Sequence, residues 1–261
     1  MSRTFLALLH FDGGRFLGWQ RQATGRTVQG EFEAVLARLA GKRVVAHAAG
    51  RTDAGVHAEG MGVSFSLAAK WVPEEVHRAL NALLPRDCWV EEVRPASQGF
   101  HARKSALGRE YRYQVGTDPA SMSPFRRPFE WALCRPLSGD RLRAASAVLT
   151  GEHDFRAFAV KGAPKPHYLC TLRRAEWRER GEGRGWAFHV AADRFLHHMV
   201  RMLVGTMVDI GLERRPVEDM TRLLARADNA DTSPPAPPEG LYFVAAEYPA
   251  AAFADHAGTA A

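Results

Sequence analysis

The chain has 261 residues, 46% of them hydrophobic with 14 Phe and 6 Trp, which supports a packed core and excludes an intrinsically disordered chain. Its 35 Lys and Arg against 29 Asp and Glu give a formal net charge of +6, a balance that favours a polyanionic partner because cations that neutralise phosphates release counterions. Cys88, Cys134 and Cys170 are scattered, odd in number and without a CxxC pair, which excludes a disulfide framework or a cysteine metal site and fits a reducing cytoplasm; no run approaches the ~18 apolar residues of a membrane helix, and Phe5–Phe11 is too short for a signal-peptide core.

In chain order, Thr4–Phe11 reads as a strand ended by the turn Asp12-Gly13-Gly14. Val28, Phe32, Val35, Leu36 and Leu39 have helical spacing, with Thr27 as a candidate N-cap. Arg43–Ala49 is a short strand running into the glycine-framed loop Gly50–Gly55, and Gly62–Leu67 is a strand again. Pro73–Leu84 is a helix with Pro at its start. Cys88–Val93 is a strand, as is the end of Phe100–Val115, where Tyr111, Tyr113 and Val115 alternate with Arg112 and Gln114. Ser138–Leu149 is a helix, Leu169–Arg178 and Gly185–Ala191 form a hairpin, Arg194–Ile210 is the longest helix, and Pro216–Arg226 is another. A Pro-rich loop over Ser233–Gly240 leads to a last strand, Leu241–Tyr248. Interleaving of this kind predicts an α+β fold: two related sub-domains that share a mostly antiparallel sheet with helices on one side. The division expected is 1–105, 106–249 and a disordered tail over 250–261.

Four groups of residues carry candidate chemistry. In Gly50-Arg51-Thr52-Asp53-Ala54-Gly55-Val56-His57 the glycines admit tight backbone and a close ligand, and in an extended segment Arg51 and Asp53 face the same side. A nearby cation keeps a carboxylate ionised, as a nucleophile requires; an ordinary turn with a solvated ion pair has the same pattern. Arg201 lies in an apolar run, sharing a helical face with His197 and Gly205. A guanidinium among apolar side chains calls for a carboxylate, and Asp53 is the partner inferred, the alternative being an Arg201 that reaches solvent along the helix edge. Residues 101–135 interleave aromatics with seven Lys and Arg against three acids; arginines grip phosphates and a tyrosine ring stacks on an unpaired base, although a strand with core-facing tyrosines and solvated arginines looks alike. His153, Asp154, His197 and His198 have no metal-site spacing, since adjacent histidines on a helix point about 100° apart.

Across almost its whole length, from about residue 3 to 248, the chain resembles the TruA-type tRNA pseudouridine synthases. The resemblance rests on ordered motifs: Asp12-Gly13-Gly14-Arg15-Phe16-Leu17-Gly18-Trp19-Gln20, Gly50–Ala58, Asn81-Ala82-Leu83-Leu84-Pro85, Phe100-His101-Ala102-Arg103, Gly151-Glu152-His153-Asp154-Phe155, Phe195–Arg201, and the Pro-rich loop to Gly240-Leu241. It implies that Asp53 is the nucleophile, that Tyr111 packs on the base, that Arg201 pairs with the nucleophile and that Arg51 assists base flipping. It further implies a cytoplasmic homodimer with a basic active-site cleft between the sub-domains, no metal and no organic cofactor, acting on uridines 38 to 40 of the tRNA anticodon stem-loop. One departure is Met61, where the family pattern has Gln. Two rival classes remain: a non-catalytic RNA-binding module, which leaves the glycine-framed Asp53 without a purpose, and a metal-dependent hydrolase using His153, Asp154 and His197, which chelation would inactivate.

Overall fold

A computed structural model describes residues 2–160, 167–226 and 228–253. The chain forms two compact units, one built from residues up to Arg109 and from Phe243 onward, the other from Glu110–Tyr242. Of the tail expected to be disordered over 250–261, residues 250–253 are ordered, with Ala250–Ala252 a 3-10 turn and Ala252 buried, and the rest lies outside the described residues.

In the first unit, β1 (Ser2–Phe11) is covered on both faces, and Phe5, Leu6 and Ala7 are all fully buried. Helix α1 (Val28–Ala40) starts where the Thr27 hydroxyl accepts from Gly30 N–H at 3.2 Å. It buries Val28, Phe32, Val35 and Leu36, the stripe that its sequence marks. The α1 ring of Phe32 meets Phe65 edge-on at 5.6 Å, and Phe65 stacks on Phe5 at 5.8 Å. Phe65 belongs to β3 (His57–Ala68), which pairs antiparallel with β1 and also carries the short β2 (His47–Ala48). After α2 (Pro73–Leu83), β4 (Cys88–Ala96) pairs with the other edge of β1. On the opposite face Leu6 clusters with Phe100, Ala102 and Ala252, with Tyr248 and Phe253 packed against them.

β5 (Gly108–Gly116) carries the chain into the second unit, where it pairs in parallel with the short β6 (Trp131–Ala132). Helix α3 (Gly139–Ala147) and β7 (Gly151–Asp154) precede the hairpin β8 (Leu169–Arg180) and β9 (Gly185–Ala192), giving the strand order β5-β9-β8-β7. Trp177 of β8 packs on Phe188 of β9 at 5.1 Å and donates its indole N–H to Met207 Sδ at 3.3 Å. Met207 lies on α4 (Met199–Gly211), which α5 (Asp219–Leu224) follows before β10 (Leu241–Glu247) returns the chain to the first unit. Elements and order make the α+β class plain, and among the described residues no helix is long and apolar enough to cross a membrane.

The expected strand Arg43–Ala49 shrinks to His47–Ala48 and the expected helix Pro216–Arg226 to Asp219–Leu224, and the start of the helix expected to be longest is displaced. The helix expected from Arg194 begins only at Met199, because His198 takes a left-handed conformation (φ 62°). Residues before it are tied elsewhere: Asp193 Oδ1 accepts from Thr171 N–H at 2.9 Å and Arg194 N–H at 2.7 Å, while Val160 N–H donates to the His197 carbonyl at 3.3 Å. His197 therefore does not share a helical face with Arg201. Met61, the departure from the family pattern, is a fully buried core residue of β3 opposite Leu9.

Candidate active site

Asp53 stands half-buried in the loop between β2 and β3. The loop is held chiefly through its backbone by the segment that follows β1. Trp19 N–H donates to the Thr52 carbonyl at 3.1 Å, Gly55 N–H donates to the Phe16 carbonyl at 3.3 Å, and Val56 N–H closes a turn on the Asp53 carbonyl at 3.2 Å. Trp19 is buried, and its own carbonyl accepts Gln29 N–H from α1 at 3.0 Å, so the clamp is anchored to a helix. Gly18 has φ +91°, and a Cβ there would sit 2.6 Å from the Thr52 carbonyl oxygen and 3.1 Å from the Asp53 carbonyl carbon. No other residue type lets the two segments approach this closely.

The clamp has its own support. Arg26 lies over the Phe16 ring at 4.2 Å, accepts Leu17 N–H on its carbonyl at 2.8 Å, and grips Asp87 with both terminal nitrogens, at 2.5 and 2.9 Å. The Arg26 guanidinium holds the Asp87 carboxyl below its ordinary range. At the start of β3 the buried His57 places Nδ1 3.1 Å from Gly13 N and 3.2 Å from the Asp12 carboxylate. Thr52 Oγ1 is buried without a hydrogen-bond partner among the described residues.

Arg51, two positions before Asp53, is exposed and forms no ion pair among the described residues. The sequence pattern admitted a solvated Arg51–Asp53 pair; the structure does not form one.

In the second unit Tyr111 and Tyr113 alternate into the buried side of β5. The Tyr111 ring meets Phe195, in the segment before α4, edge-on at 5.0 Å. Tyr113 donates its hydroxyl to the Pro237 carbonyl at 2.7 Å, and burial pushes its pKa well above the ordinary value. Arg201 is one of two α4 positions outside the buried set, Asp209 being the other. Its Nε donates to the Ala236 carbonyl at 2.7 Å while its own carbonyl accepts Ala236 N–H at 2.9 Å. The Pro-rich loop thus lies directly across α4, and a Cβ at Gly205 would sit 2.1 Å from the Pro234 carbonyl oxygen. Gly205 marks a close approach, as its place in a helix implies.

Not every arginine of the basic, aromatic stretch faces outward. Arg109 donates to the carbonyls of Ala49, Arg103 and Ala106, and Arg126 is shared between Asp118 and Glu130. His153 contacts the Thr150 carbonyl and Asp154 takes Arg156. The clamp, the Phe195 contact and the Ala236 strap escaped residue-by-residue reading. Their only trace in the sequence is the set of motifs to which no role was attached.

A family pattern described as tRNA pseudouridine synthase matches residues 7–103 and 145–249. Curated proteins named tRNA pseudouridine synthase A align over nearly the whole chain. The one from Moorella thermoacetica is 40% identical over 92% of this chain and 97% of its own length, and that from Solidesulfovibrio magneticus is 41% identical over 95% and 92%. The one from Geobacillus kaustophilus is 40% identical over 93% of each. On both the pattern match and these identities, the chain belongs to the tRNA pseudouridine synthase family, enzymes that isomerise uridine in RNA.

Proposed function

We propose that this enzyme isomerises uridines 38 to 40 in the anticodon stem-loop of tRNA, with Asp53 as its nucleophile and with no metal or organic cofactor, as a cytoplasmic homodimer. The observation that carries the reading is the half-buried carboxylate of Asp53 on a loop whose backbone is pinned on both sides by Trp19 and Phe16. Preorganising one side chain at the cost of a strained approach at Gly18 is what a reacting group requires. In the reaction the bond from uracil N1 to C1′ breaks, the bond from C5 to C1′ forms, C5 loses its proton and N1 gains one. An ionised Asp53 serves by adding to sugar or base, or by taking a sugar proton.

Arg51, exposed beside Asp53, is assigned to the flipped-out nucleotide, Tyr111 to stacking on the base, and Arg201 to sustaining the charge of Asp53. Extruding the base costs a few kcal/mol, and stacking at roughly 1–3 kcal/mol per base offsets it.

The test is pseudouridine formation on an unmodified tRNA transcript with chelator present. Wild-type protein should convert the anticodon-arm uridines, and Asp53→Asn should bind the transcript yet convert none. Binding without conversion by both proteins would leave Asp53 without a catalytic part. Loss of conversion by the wild type on chelation would overturn the metal-free reading. Near-normal turnover by Arg201→Ala would remove Arg201 from it.

A further inference from the structure

A cavity of about 570 Å³ opens in the first unit, at the end of β3 remote from the Asp53 loop. Its walls are the end of α1 and the segment after it, the start of β1, and the turn closed by Trp71 N–H on the Ala68 carbonyl at 3.1 Å. Lys42, Arg43, His47 and Lys70 line it beside Trp71, and no acidic side chain does. None of Lys42, Arg43 and Lys70 forms an ion pair among the described residues. Elsewhere the chain neutralises arginines internally: Arg26 by Asp87, Arg126 by Asp118, Arg222 by Asp219. Lysine is scarce, five in the whole chain, and two of the five are here.

Three exposed, unneutralised cations around one concavity focus a positive potential. Lysines grip phosphate as point charges without reading sequence. Lys70 Nζ lies 5.9 Å from the centre of the Trp71 ring, so charge and an aromatic face adjoin, the pairing that a nucleotide's phosphate and base engage. At about 3.3 Å per residue, the run of β3 from His57 to Ala68 sets the Lys70–Trp71 end of the cavity roughly 35 Å from the start of the strand, where the loop that carries Asp53 joins it.

We propose that this cavity holds the phosphodiester backbone of the tRNA substrate outside the reacting arm, a second grip that a folded tRNA reaches and a minimal hairpin does not. The proposal rests on the function assigned above. The anticodon loop closed by three base pairs adds only roughly 10 Å of helix, at about 3.4 Å per pair.

The test uses the full chain carrying Lys42→Gln, Arg43→Gln and Lys70→Gln, with the Lys42→Gln, Lys70→Gln double variant in reserve should the triple lose its native circular dichroism. Binding of unmodified tRNA should weaken roughly tenfold, and the slope of log Kd against log salt should fall by about one per cation removed. Turnover per KM should fall on tRNA and stay within about twofold on the minimal hairpin. Unchanged tRNA binding, or equal losses on both RNAs, would overturn the proposal. If wild-type protein converts neither RNA, the assigned function fails, and the binding arm still decides the cavity.

Discussion

Two glycines of the first unit separate the price of a backbone conformation from its use. Gly18 and Gly41 both have positive φ, +91° and +67°, but a Cβ at Gly41 meets nothing within 4 Å, whereas one at Gly18 strikes the Thr52 carbonyl at 2.6 Å. Gly41→Ala should therefore cost about 1–2 kcal/mol, the penalty of a left-handed residue, and leave kcat unchanged. Gly18→Ala carries a comparable conformational penalty and in addition pushes the backbone of Thr52 and Asp53. Since a displacement of about 1 Å of a reacting group can cost ~10²-fold, its kcat should fall at least about tenfold while the protein stays folded. Melting curves and single-turnover rates on both variants check this. A Gly18→Ala enzyme with wild-type kcat would mean that the clamp does not position Asp53. Asp53 itself was legible as a carboxylate framed by glycines. The clamp was not, because its hydrogen bonds run through main-chain groups that every residue possesses.

At the scale of elements, what the sequence reveals depends on whether an element is decided locally. Helix α1 was legible because its stripe and Thr27 cap act within a few residues, and so was the β8–β9 hairpin. The start of α4 was not: periodicity continues back to Arg194, but Asp193 and His197 spend their hydrogen bonds on other segments, and His198 turns left-handed. Within the Gly151–Phe155 motif, Gly151–Asp154 forms a strand without alternating burial, so it carries no period-two signal. Charge is equally deceptive. Glu130, beside β6, is 2% exposed and accepts from Ser121 Oγ at 2.8 Å, Arg126 Nε at 2.9 Å and Arg180 Nη1 at 2.5 Å, joining three segments of the second unit. Removing one member of a buried pair costs about 3–5 kcal/mol. Here both guanidinia keep about a fifth of their surface in water, so Glu130→Ala should cost about 2–3 kcal/mol. At roughly 2–4 °C per kcal/mol for a domain of this size, its melting point should drop by about 5–10 °C, with Glu130→Gln less affected because it keeps an acceptor. A Glu130→Ala protein that melts with the wild type would show that the network contributes no net stability.

For the molecule as a whole, two classes of titrating group act in the same direction on acidification. Burial, and then the His47 ring stacked 4.2 Å away, hold His101 below its ordinary value of 6.5, and burial, followed by Arg178 and Arg174, does the same for His189. With a folded pKa below the unfolded one, each His binds fewer protons folded than unfolded. Its cost is absent above about pH 6.5 and grows as the pH falls toward the folded value. Asp87, held down by Arg26, and Asp219, held down by Arg222 and Arg215, have pKa values below the ordinary 3.8. Their stabilisation is complete above that value and is lost as the pH drops through the lower folded one. The melting point should therefore be flat above about pH 6.5, decline gently down to about pH 4 and steeply below it, with His101→Gln flattening the first phase only. Calorimetry across pH 8 to 2.5 reads both phases. A melting point that stays constant or rises from pH 7 to 3 would mean that neither the histidine burial nor the arginine–aspartate pairs are coupled to folding.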